Sequence, residues 1–141
     1  MENIKLDNDI YLYCVKADSF PAGINAAQER LAVIPKPGGE CNHFGISFLH
    51  DDTILYMAAA ELQPGEKVPD GCESYTLRNG NYISIYIANF MKDPTQIGRA
   101  FETLLDDPRI DENGCCAECY LPEGADHKTA IDVRCMVRLA D

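Results

Sequence analysis

The chain has 141 residues, the size of one domain, and its 46% hydrophobic and 25% charged content can build a core, which excludes wholesale disorder. Lys and Arg number 12 against 23 Asp and Glu, for a net charge of −11. That balance disfavours direct contact with nucleic-acid phosphates or anionic membranes and suits cationic ligands or a basic protein partner.

The first residues, Met1-Glu2-Asn3-Ile4-Lys5-Leu6, lack the basic start and apolar run of an export signal. No apolar stretch approaches the ~20 residues needed to cross a bilayer. Seven cysteines cannot all pair internally, so free thiols in a reducing compartment are expected. Together these features read as a cytoplasmic protein with no membrane partner.

Asp9 to Lys16 is short and rich in aromatic and aliphatic residues, which predicts a strand. After a turn-like Asp18-Ser19-Phe20-Pro21, the residues Ile24, Ala27, Leu31 and Ile34 recur at helical spacing, and Pro35 and Pro37 stop the helix. Phe44 to Leu49 and Thr53 to Ala60 flank His50-Asp51-Asp52 and predict a hairpin. Gln63 to Gly71, with paired prolines and glycines, reads as a linker. Ser74 to Arg78 and Asn81 to Ala88 flank Asn79-Gly80, the strongest short hairpin signal in the chain. Asp93-Pro94-Thr95-Gln96 starts a second helix whose apolar face carries Ile97, Phe101, Leu104 and Leu105 and which Pro108 ends. Cys116 to Leu121 and Ala130 to Leu139 predict a last hairpin across Pro122 to Asp126.

Strand–helix–strand–strand thus occurs twice, with Ile24 matching Ile97, Leu31 matching Leu104 and Tyr56 matching Val133. The expected boundaries are about 8–62 for repeat one, about 63–73 for the linker and about 74–140 for repeat two. Two helices cannot cover both faces of so many strands. The expected fold is therefore α+β: an antiparallel sheet with helices on one face and a ligand groove on the other.

Side chains alternate across a strand, so each strand sorts its residues onto two sides. Ile83, Ile85 and Ile87 share one side and Tyr82, Ser84 and Tyr86 the other. Tyr11 and Tyr13 oppose Ile10, Leu12 and Cys14; Glu118 and Tyr120 oppose Ala117, Cys119 and Leu121. In the last strand Ile131, Val133, Cys135 and Val137 oppose Asp132, Arg134, Met136 and Arg138. The sides bearing Tyr13, Tyr82, Tyr86, Glu118, Tyr120 and Met136 read as one binding surface. A tyrosine-walled groove with a carboxylate suits a flat cation, at roughly 0.5–2 kcal/mol per ring contact. Tyrosines also fit half-buried pleated surfaces for purely structural reasons, and Glu118 has a second reading as an ion-pair partner of Arg134.

Gly80-Asn81-Tyr82 opening a strand, the helix from Pro94 to Leu105 and the Glu118-Cys119-Tyr120-Leu121-Pro122 run resemble the GyrI-like effector-binding domains of AraC-type and multidrug-sensing bacterial activators. Phe20-Pro21-Ala22-Gly23-Ile24, Phe44-Gly45-Ile46 and Tyr56-Met57-Ala58-Ala59-Ala60 resemble that family's first repeat. The resemblance implies a groove between the repeats that engages organic, often cationic, ligands. It gives Glu118 the role of the family's groove glutamate and makes Tyr56, Tyr82 and Tyr120 groove residues. The absence of Trp, and Ala58, Ala60 and Ala88 where bulkier groups could close a pocket, leave the ligand's size open.

The leading expectation is a stand-alone small-molecule binding protein, regulatory through a separate chain because no helix-turn-helix flanks the repeats. A gyrase-inhibitor-like protein acting on a protein partner is one alternative; a hydrolase of strained electrophilic ligands, with Glu118 as general base, is the other. No cofactor or metal is expected. Cys116 and Cys119 have CxxC spacing, but in a strand that spacing sends them to opposite faces, and Cys41-x-His43 lies elsewhere.

Overall fold

The apolar segments assemble one sheet and two helices in the computed structural model, which describes residues 1–35, 41–50 and 52–141, with the backbone alone at 49 and 50. Pro37 and Asp51, read above as a helix stop and a turn residue, lie outside the described residues. The strands are β1 (Glu2–Leu6), β2 (Ile10–Lys16), β3 (His43–His50), β4 (Thr53–Glu61), β5 (Glu73–Leu77), β6 (Gly80–Ile87), β7 (Cys116–Leu121) and β8 (Asp132–Arg138). Helix α1 (Ile24–Ala32) follows β2, and α2 (Thr95–Leu105) follows β6 after a short 3₁₀ turn, Phe90–Lys92.

All pairings are antiparallel, in the order β1-β6-β8-β7-β3-β4-β2-β5. Reading inward from each end gives the same pattern: β2-α1-β3-β4 and β6-α2-β7-β8 are mirrored about the central β3–β7 pair. The fold is the duplicated α+β arrangement that the element order implied. One strand went unread: β1 places Ile4 and Leu6 against the core while Asn3 and Lys5 between them are exposed. β1 pairs with β6, and β5 pairs with β2, so the first strand of each half completes the edge of the other.

That exchange corrects the reading of Asn79-Gly80. β5 and β6 do not pair; they lie at opposite ends of the strand order, and Asn79-Gly80 carries the chain across. Local hairpin preference is overridden by specific contacts. The Asn79 backbone N–H and Nδ2 both donate to Asp9 Oδ1 at 2.8 Å, and Gly80 sits at φ +131°. A Cβ on Gly80 would lie 2.8 Å from Arg138 Nη2, so this crossing requires glycine.

The helices share one face. Under α1 lie Tyr13, Tyr56, Ala58 and Ala60; under α2 lie Ile83, Ile87, Val133, Cys135 and Val137. On the other face the curled sheet closes on a second core of Leu12, Cys14, Phe44, Ile46, Met57, Leu77, Tyr82, Ala117 and Met136. Each large aliphatic sealed there contributes about 1.5–3 kcal/mol. Of the residues assigned to the apolar face of α2, Leu104 is fully buried while Leu105 is 49% exposed. Among the described residues, no helix is long and apolar enough to cross a membrane.

Candidate functional site

Strand registry decides which candidate residues meet. Gly45 stands opposite Glu118, and Glu118 opposite Cys135. Directly opposed residues share a face, so Glu118 and Tyr120 lie on the helix side with Val133 and Cys135, not with Arg134 and Met136. One residue of register reverses every side chain of a strand, which is why alternation alone misplaced β7 relative to β8. The cleft that receives Glu118 accordingly opens between the helices, on their own face of the sheet.

This cleft has a volume of about 490 Å³. Its walls are Phe20, Pro21 and Ile24 from the start of α1 on one side and Phe90, Met91, Ile97 and Phe101 around α2 on the other; His127 lies at one end. Ser47 and Glu118 form the polar floor. Gly98 of α2 also lines it, and a Cβ built there meets nothing within 4 Å. A mid-helix glycine costs stability relative to alanine, so an open wall is its only visible compensation.

Beneath the floor runs a chain of hydrogen bonds. Gln28 Nε2 donates to Tyr56 Oη at 2.8 Å, the Tyr56 and Tyr120 hydroxyls lie 3.3 Å apart, and Tyr120 donates to Glu118 Oε1 at 3.0 Å. Because Gln28 can only donate here, the Tyr56 proton points to Tyr120 and the Tyr120 proton to Glu118. Gly45 makes the approach possible: a Cβ there would stand 2.6 Å from the Tyr56 hydroxyl and 2.9 Å from that of Tyr120.

Burial pushes the Glu118 carboxyl up from its ordinary 4.5 to about 7, against the lowering effect of the Tyr120 hydrogen bond. By surface area the residue is only half-buried, and both observations hold: protein atoms surround the carboxyl, yet the cleft leaves it reachable. No ion pair to Glu118 occurs among the described residues. Burial likewise raises the Tyr56 and Tyr120 phenols, which stay neutral. Burial lowers His127, with Asp126 opposing, so its ring is largely neutral at pH 7. The ring packs edge-on to Tyr120 with centroids 5.3 Å apart. The floor can thus carry one negative charge with no positive charge beside it.

The other candidate residues are dispersed. Tyr13 is buried beneath α1, its phenol pushed up to about 12 chiefly by burial, and its hydroxyl has no partner among the described residues. Tyr82 and Met136 belong to the core on the far face, where Tyr82 donates to the Arg78 carbonyl at 2.6 Å. Tyr86 is exposed on that face, bonded to Asp132, with the Arg134 guanidinium 5.3 Å over its ring. Arg134 reaches Ser84 Oγ at 3.1 Å and Glu2 Oε1 at 3.5 Å, so the alternative reading of Glu118 as an ion-pair partner of Arg134 does not hold. The tyrosine-bearing sides are therefore two surfaces rather than one. Sequence reading passed over Gln28, Phe90, Met91 and His127. It took Ile24, Ile97 and Phe101 for core, although their helical spacing was the available signal for a flank facing a second helix.

A larger concavity of about 590 Å³ lies along β2 and β5. Two of its three carboxylates are engaged, Asp9 by Asn79 and Glu66 by the Gln63 N–H at 2.5 Å. Cys116 packs towards the helix side and Cys119 towards the far core, and among the described residues no three His, Cys, Asp or Glu side chains are placed to hold a metal.

No family model and no curated protein sequence matches the chain. Solved structures do match in fold. SAV2435 bound to tetraphenylphosphonium aligns at TM-score 0.64 and 11% identity, covering 99% of this chain and 93% of that one. An integron cassette protein from the mobile metagenome of Vibrio cholerae aligns at TM-score 0.63 and 12% identity, covering 99% and 95%. A candidate bacterial transcription regulation protein from Staphylococcus aureus MU50 aligns at 0.61 and 10%, covering 99% and 97%. The chain shares their fold. One of these neighbours holds a small organic cation.

Proposed function

We propose that this protein is a GyrI-like effector-binding module that takes bulky aromatic or lipophilic organic cations into the cleft between α1 and α2. Glu118 supplies the counter-charge, Phe20 and Phe101 supply ring faces and edges, the buried Phe90 backs the wall behind them, and Tyr56 and Tyr120 hold the carboxylate. The observation that carries this reading is a carboxyl on the floor of an aromatic cleft with no cation paired to it among the described residues. An ionised group so enclosed is costly unless a partner arrives, and a ligand cation is that partner. The fold shared with a tetraphenylphosphonium-bound protein supports the same choice of ligand. Calorimetric titration with tetraphenylphosphonium at pH 8, against neutral triphenylphosphine oxide, tests it: saturable binding of the cation alone is expected, and equal or absent binding of both refutes it.

The regulatory side of the proposal, action through a separate chain, draws on the fold shared with the Staphylococcus aureus protein; its test is a partner captured only with ligand present. A second reading follows from the near-neutral Glu118 beside the Tyr120 hydroxyl, a pairing suited to general-base hydrolysis of a strained electrophile. Turnover of such a substrate that vanishes in Glu118→Gln would promote it.

A further inference from the structure

The main cleft does not end at His127. A second concavity of about 280 Å³ adjoins it and shares Asn25, Met91 and His127 as common lining. Its character is different. Where the first chamber is walled by phenylalanines, isoleucines and prolines, this annexe is lined by Gln28, Glu29, Asp126 and Lys128, with Ala32 as a small apolar patch.

Gln28 is the informative residue. Its side chain is buried, 7% exposed, and lines the annexe while its Nε2 is committed to Tyr56. Its Oε1 accepts no hydrogen bond among the described residues and is not an enclosed orphan atom, so it is open to the annexe. One Nε2 proton is committed to Tyr56 and the second is not. Gln28 therefore brings to the annexe an acceptor, Oε1, together with one remaining Nε2 proton. Glu29 adds carboxylate oxygens, whereas Asp126 Oδ1 already accepts from Lys128 N, Thr129 N and Thr129 Oγ1, which leaves only its Oδ2; the one fixed cation in the lining, Lys128, is an exposed surface lysine. The annexe therefore asks for N–H or O–H donors, and an acceptor left facing an apolar group would lose its hydrogen bond to water without replacement.

We propose that the ligand site is two-chambered, and that the annexe selects organic cations carrying a hydrogen-bond-donating arm, an amino or hydroxyl group, beyond the aromatic body seated over Glu118. This rests on the cation reading of the main cleft and refines it from any lipophilic cation to a donor-bearing one. It also gives His127 and Met91 a role as the waist between chambers, and Gln28 a double role, since the residue that reads the arm also ends the hydrogen-bond chain to Glu118.

The test uses three probes on the full chain at pH 8. Tetraphenylphosphonium, which has no donor, reports the main cleft alone. Ethidium, a phenanthridinium with two aromatic amino groups, and its analogue lacking both amino groups carry the same charge and differ in donors. Wild-type protein should prefer ethidium over the deaminated cation by about tenfold or more, on the order of one or two hydrogen bonds. Ala32→Trp, at an exposed α1 position that borders only the annexe, should abolish that preference and leave the tetraphenylphosphonium Kd within about twofold. Unchanged tetraphenylphosphonium binding also certifies that the variant is folded. Glu29→Gln, a milder change at an exposed position, should shrink the preference a few-fold. If tetraphenylphosphonium fails to bind wild-type protein, the main-cleft reading falls and this one with it. If it binds but ethidium has no advantage, or keeps its advantage in Ala32→Trp, the annexe proposal alone is overturned.

Discussion

Replacing Glu118 with Gln should strengthen the fold and weaken the ligand at the same time. The carboxyl titrates at about 7 in the folded chain against 4.5 ordinarily, mainly through burial. Between those pH values the folded protein holds a proton that the unfolded chain has released. Stability from this group is thus fully present below pH 4.5, falls as pH rises towards 7 and levels off above it. The gap corresponds to about 3 kcal/mol as an upper figure, and 2–3 kcal/mol once access through the cleft is considered. Glutamine keeps the shape, and its carbonyl still accepts from Tyr120, but it never ionises. At pH 8 the variant should melt roughly 5–10 °C above wild type, a difference that shrinks towards zero near pH 4.5. A cation about 5 Å from the carboxylate at an effective dielectric near 20 gains about 3 kcal/mol, so Glu118→Gln should lose roughly 100- to 300-fold in tetraphenylphosphonium affinity at pH 8. Wild-type affinity should itself drop about tenfold from pH 8 to pH 6 as Glu118 takes up a proton, converging on the variant. Paired thermal melts and calorimetric titrations across pH 4.5–8.5 read both effects. A variant that melts lower than wild type at pH 8, or binds the cation equally well there, would refute the idea that Glu118 is an enclosed charge awaiting a partner.

Three further outcomes follow from the same geometry. Gly45→Ala drives a methyl into the Tyr56 and Tyr120 hydroxyls; it should cost about 1–3 kcal/mol in chemical denaturation and weaken cation binding through the displaced Tyr120–Glu118 bond. Gln28→Leu removes the donor that orients the chain. Besides an expected loss of about 1–2 kcal/mol, the pH midpoint for tetraphenylphosphonium binding should move upward, which a purely packing role would not produce. Gly98→Ala should stabilise α2 by about 0.5–1 kcal/mol and leave binding intact, whereas Gly98→Leu should fill the cleft and abolish binding without unfolding the helix, as judged by circular dichroism and titration.

Much of this architecture is local and could be read directly. The apolar spacing of Ile24, Ala27 and Leu31, and of Ile97, Phe101 and Leu104, defines two helices because a helix must bury one stripe. Alternation defines β2, β3, β4, β6, β7 and β8, and their order gives the duplication. Glu118 stood out because alternation puts it on the same strand side as Tyr120 and because the Glu118-Cys119-Tyr120-Leu121-Pro122 run resembles the GyrI-like pattern.

Relations between segments lay beyond that reach. A period of two says that a strand has two sides but not which side meets the helices; only the registry of Glu118 with Gly45 and Cys135 decides that it shares a face with Tyr56 rather than with Arg134. The strongest turn signal, Asn79-Gly80, yields to the Asp9 and Arg138 contacts and becomes a crossing between sheet edges. The amino-acid order fixed what each piece of backbone would be, since those preferences act over a few neighbouring residues. Where the acid sits, how far it is desolvated and which rings surround it depended on parts of the chain distant in sequence, because enclosure belongs to the assembled molecule and not to any one segment.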